Sequence, residues 1–117
     1  MQYLCTFTVP PQVDNIEINQ TVSNGKINLR VTWNQPNSDR PIQHYEVQYK
    51  KQGVSGWTSV TPNPTTRQTT IRNVDKGSVY KARVRAVSDV GSGQWKSATS
   101  QSTYGGKNII PNLVYSN

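Results

Sequence analysis

Acid–base, nucleophilic and metal chemistry each need particular side chains at particular spacings, and this chain supplies few of them. Its six carboxylates, Asp14, Glu17, Asp39, Glu46, Asp75 and Asp89, fall singly along 117 residues. Paired-carboxylate catalysis needs two acids a few ångströms apart around one substrate. One cysteine, Cys5, and one histidine, His44, cannot make an internal disulfide, a zinc cluster or a Cys/His pair. A Ser-His-Asp design survives only with His44 as its base, and a solvent-facing sheet histidine is the plainer reading. Gly91-Ser92-Gly93 lacks the third glycine and the strand-to-helix setting of a phosphate loop, so it reads as a hairpin turn. Neither catalysis, a cofactor nor a metal is expected.

What the chain does supply is positive charge, with 13 Lys+Arg against 6 Asp+Glu for a formal net charge of +7. Lys81, Arg83 and Arg85 recur at every second residue and therefore project from one face of one strand. Such a stripe suits polyanions, heparan-type chains or anionic phospholipid, with salt-dependent affinity. The competing reading is a solvated sheet face partly neutralised by Glu46. Nucleic acid is not expected as a partner, because no aromatic platform is seen to interleave the basic residues. Asn19-Gln20-Thr21 is an N-glycosylation triplet, whereas Asn63-Pro64-Thr65 is blocked by proline.

The elements that must position these residues are strands. The chain carries 13 Val and 12 Thr against 3 Leu and 3 Ala, a balance hostile to a helical bundle. Hydrophobic residues make up only 32%, yet 3 Trp and 6 Tyr supply the large anchors that disordered chains lack. Short alternating runs separated by Gly, Pro, Asn and Asp predict seven strands. They are a first run at Ile16-Glu17-Ile18, then Lys26 to Trp33 after the Asn24-Gly25 turn, Ile42 to Lys50, and Trp57 to Val60. Thr69 to Ile71, Val79 to Val87, and about Trp95 to Thr103 complete the set. Asn19 then falls between the first two strands. No apolar stretch approaches the roughly 20 residues that span a bilayer, so direct membrane insertion is not expected. The opening MQYLCTFTV is too short and polar for a signal peptide.

In order, several residues resemble the fibronectin type III domain over roughly Pro11 to Thr103. These are the proline-led first strand (Pro11, Val13), Trp33 with Pro36 three residues on, and Pro41-Ile42 leading to Tyr45, Val47 and Tyr49. Val74-Asp75-Lys76-Gly77-Ser78-Val79-Tyr80 looks like the family's Leu-x-Pro-Gly-Thr-x-Tyr turn, with Lys76 where the family has proline. Tyr80-x-Ala82-x-Val84-x-Ala86-Val87-Ser88 and Gly91-x-Gly93 look like its sixth strand and last hairpin.

The resemblance implies an all-β, seven-stranded antiparallel β-sandwich of immunoglobulin-like, fibronectin type III topology. Trp33, Tyr45, Val47, Tyr80 and Val84 would form its core, with Tyr80 as the tyrosine corner. Without proline at position 76 the turn should be somewhat more flexible. Lys50 would lie beside the Lys81, Arg83, Arg85 strand, and Trp95 and Lys96 near it, making these six the candidate polyanion- or partner-binding face. An arginine could stack on Trp95, and Trp57 should pack over the edge of the four-stranded sheet. The loop Asp89-Val90-Gly91-Ser92-Gly93 is a candidate contact loop, without the Arg-Gly-Asp of integrin-binding relatives.

The domain should run over residues 11–104, with 1–10 an N-terminal extension or linker and 105–117 a linker or the start of a following module. The expected role is a non-catalytic extracellular module, a spacer and protein-interaction unit in a multidomain cell-adhesion or receptor protein. Its partners would be adjacent modules and receptor or adhesion proteins. Alternatives are a module of an intracellular muscle-type scaffold, or an accessory module of a secreted carbohydrate-degrading enzyme.

Overall fold

A computed structural model describes residues 8–103. Cys5, Tyr104 and the apolar tail Ile109 to Val114 lie outside them. The chain forms β1 (Asp14–Ser23), β2 (Lys26–Asn34), β3 (His44–Lys51), β4 (Thr58–Ser59), β5 (Gln68–Val74), β6 (Tyr80–Val87) and β7 (Lys96–Thr99). All pairings are antiparallel, in a three-stranded sheet ordered β1-β2-β5 and a four-stranded sheet ordered β4-β3-β6-β7.

Alternation decides what each strand buries. On β2, Ile27, Leu29, Val31 and Trp33 turn inward, and on β6 Tyr80, Ala82, Val84 and Ala86 do the same. Tyr45 and Val47 of β3 and Ile71 and Val74 of β5 close the core between the sheets. Trp33 of β2 meets Tyr45 of β3 edge-to-face, their ring centroids 5.2 Å apart, which packs the two sheets against each other. The β1–β2 hairpin turns on Asn24 and Gly25, with φ of 52° and 75°, the two left-handed residues of a tight turn that matches strand twist.

Four departures from the expected strands have local causes. β1 runs on to Ser23, so Asn19 lies within an exposed edge strand opposite Arg30 and not between strands. A bulge in β5 sets Arg72 and Asn73 against Asn28 alone, with Asn73 at φ 56°. The Asn73 N–H freed there donates to Asn28 Oδ1 at 2.9 Å, which is why an outward polar residue is buried. β4 keeps only Thr58–Ser59, leaving Trp57 just ahead of it. Finally β7 ends at Thr99, and residues 100–103 turn to the β5–β6 corner.

That corner is closely tied. The Tyr80 hydroxyl accepts from the Asp75 N–H at 2.8 Å, as the tyrosine-corner expectation requires. Thr103, only 1% exposed, takes the Ser78 N–H on its Oγ1 at 3.1 Å and the Gly77 N–H on its carbonyl at 2.9 Å. These bonds tie the turn that carries Lys76 to residues 100–103.

Candidate functional site

The outer face of the four-stranded sheet is set by one register. His44, Glu46, Gln48 and Lys50 of β3 stand directly opposite Val87, Arg85, Arg83 and Lys81 of β6. An acceptor therefore faces each guanidinium. Arg85 Nε donates to Glu46 Oε1 at 2.6 Å, and Arg83 Nε donates to Gln48 Oε1 at 2.8 Å. The Arg85–Glu46 ion pair is about two-thirds buried, its side chains 30% and 31% exposed, so it is screened less than a free surface pair.

Two indoles complete the face, one from each flank. Trp57 comes over the β4 edge and Trp95 from just ahead of β7, and both are half-buried. The Arg83 guanidinium carbon lies 4.3 Å from the centroid of each indole, so the group is sandwiched between them. Arg85 covers Trp95 at 4.3 Å, and Lys50 Nζ approaches Trp57 at 4.9 Å. The order across the sheet is Lys50, Trp57, Arg83, Trp95, Arg85. Each cation–indole contact is worth roughly 0.5–1 kcal/mol at an exposed site and more when desolvated.

Aromatic rings therefore do interleave the basic residues, contrary to the expectation from sequence. Their faces are occupied by the chain's own cations, so they are not free platforms for a base. The six residues expected to share this face do not all do so. Lys50, Lys81, Arg83, Arg85 and Trp95 are brought together, whereas Lys96 pairs with Val84, a core residue. Successive side chains alternate across a strand, so Lys96 leaves on the other side from Arg83. What sequence reasoning missed is the reach of Trp57 to Arg83 and the pairing of Arg83 with Gln48; the register behind both is invisible until β3 and β6 are aligned.

The loop Asp89 to Gly93 is held from two directions. Arg40 Nε donates to Asp89 Oδ1 at 3.0 Å, and this bond with its charge holds the Asp89 carboxyl below the usual carboxylate range. The same pairing raises Arg40. Behind the loop lies the incoming segment, with Pro10 fully buried. A Cβ on Gly93 would stand 2.3 Å from the Pro10 carbonyl oxygen, so only glycine allows this approach. Val90 remains exposed at the tip. Among the described residues, no group of three or more His, Cys, Asp or Glu is placed to hold a metal ion.

Comparison with known proteins gives the fold a family. The sequence profile of the DSCAM/DSCAML C-terminal Fn3-like domain matches residues 19–111. The chain belongs to this fibronectin type III family. No curated protein matches it. Among solved structures, the fibronectin type III module is similar to the solution structure of a human fourth FNIII domain, with a TM-score of 0.73 and 18% identity over 92% of this chain and 91% of that one. It is similar to domains A168–A170 of titin, with a TM-score of 0.66 and 22% identity over 85% of this chain and 33% of that one. A third is the twitchin kinase region of C. elegans, at 0.66 and 16% over 84% of this chain and 18% of that one. At such identities these structures speak for the fold alone. Within the module the Arg40–Asp89 pair ties the loop before β3 to the last hairpin, and the cation–indole ladder covers the sheet face beside it.

Proposed function

We propose that the module is a non-catalytic spacer and protein-interaction unit in the extracellular part of a multidomain adhesion or receptor protein. The observation that carries the spacer role is the path of the chain. Residues 8–10 pack beside the β6–β7 hairpin at the end of β6, while residues 100–103 leave beside Tyr80 at its start. The backbone thus comes in at one pole of the sandwich and goes out at the other, roughly 20 Å apart along β6. That arrangement suits modules strung head to tail. The matching family profile supports the adhesion or receptor setting, and the exposed Asn19 on β1 supports an extracellular one.

Expression behind a cleavable leader in a secretory host tests the placement. The expected result is secreted, folded chain whose mass includes a glycan that Asn19→Gln removes. Retention of the parent chain inside the cell would contradict the extracellular assignment.

A further inference from the structure

Among the described residues, the cationic face has an end without a carboxylate, where Lys50 rests on Trp57 as its neighbour in the ladder. Lys50 and Lys81 stand directly opposite each other across β3 and β6. Like charges in that position repel at close range, since opposed Cβ atoms in an antiparallel pair are about 5 Å apart. Among the described residues neither ammonium has a carboxylate partner, whereas Arg85 has Glu46, Arg40 has Asp89 and Lys51 has Asp75 at 3.0 Å. Lys76, exposed in the adjoining turn, brings more positive charge to this pole, where Asp75 already pairs with Lys51.

The interior of the face is closed by contrast. Arg83 and Arg85 are stacked and hydrogen-bonded within it, so they contribute field but little free donor capacity.

We propose that the Lys50–Lys81 pair is an anion-binding site that takes a sulfated polysaccharide chain laid along β6. Lys81, Arg83 and Arg85 form a line with about 7 Å between successive side chains, which matches a linear polyanion better than a plane of lipid headgroups. The covered indoles leave no stacking surface for nucleic acid. The choice of a sulfated polysaccharide rests on the extracellular reading above; the anion site itself does not.

The test is heparin binding by the full chain, comparing the parent with Lys50→Thr plus Lys81→Thr and with Lys26→Thr plus Arg72→Thr. The second pair removes the same charge from the other sheet. The expected result is salt-reversible retention of the parent, about tenfold weaker binding by the Lys50/Lys81 pair at fixed salt, and a change within about twofold for the control pair. Lys50→Arg plus Lys81→Arg should restore binding, which guards against a folding defect in the threonine pair.

Flow-through of the parent, or equal losses in both threonine pairs, would overturn the site. Tighter binding of the parent to phosphatidylserine vesicles or to a single-stranded oligonucleotide than to heparin would overturn the polysaccharide. Secretion and Asn19 occupancy are read separately, so failure here and failure of the extracellular placement are distinguishable.

Discussion

At the scale of single residues, the parts that matter most are those whose polar atoms have one possible partner. The Tyr80 hydroxyl accepts the Asp75 N–H inside a turn with few alternatives. Tyr80→Phe keeps the ring in the core and leaves that N–H unpaired, so urea unfolding should show a loss of about 1–2 kcal/mol. Arg83 is planar between two planar rings, and Gln48 fixes its rotation. Arg83→Lys keeps the charge but not the plane, and a loss of about 1 kcal/mol is expected, with a shift in tryptophan emission as Trp57 and Trp95 lose their shared neighbour. Tyr80 and Trp33 were legible in the sequence because each sits in an alternating run beside a marked turn. The burial of Asn28 was not, because it depends on a bulge at Asn73, three strands further along the sequence.

At the scale of elements, the strands follow from alternation, while their ends follow from contacts that alternation does not encode. Both sheets and their order agree with the resemblance, yet β7 stops early because Thr103 is drawn to the β5–β6 turn. The candidate face was legible as a stripe on β6, and its closure by indoles from two other elements was not, since it needs the register of three strands at once.

The hairpin carrying Asp89 yields two expectations. Gly93→Ala places a Cβ on the Pro10 carbonyl and should free the incoming segment, read as faster amide exchange at Val9, Gln12 and Val13. Asp89 has its folded pKa depressed by Arg40, so its contribution is present above the ordinary carboxylate range and lost as pH falls through the folded value. Thermal melts from neutral to acid pH should therefore fall more steeply for the parent than for Asp89→Asn. Arg40, raised further above its already high ordinary value by Asp89, stays charged throughout and adds no slope in that range.

At the scale of the whole molecule, the sandwich carries its chain from one pole to the other. The cation–indole ladder stiffens one sheet, the Trp33–Tyr45 contact joins it to the second, and the two poles are fixed by Pro10 under Gly93 and by Thr103 on the corner. Spin labels at Pro11→Cys and Gln101→Cys, in a chain with Cys5→Ser, read this geometry directly by pulsed electron resonance. The prediction is one narrow distance distribution near 20 Å, lengthened by the label arms. A broad distribution centred near 50 Å, as a flexible chain of that separation gives, or a peak below about 10 Å with both labels at one pole, would contradict it.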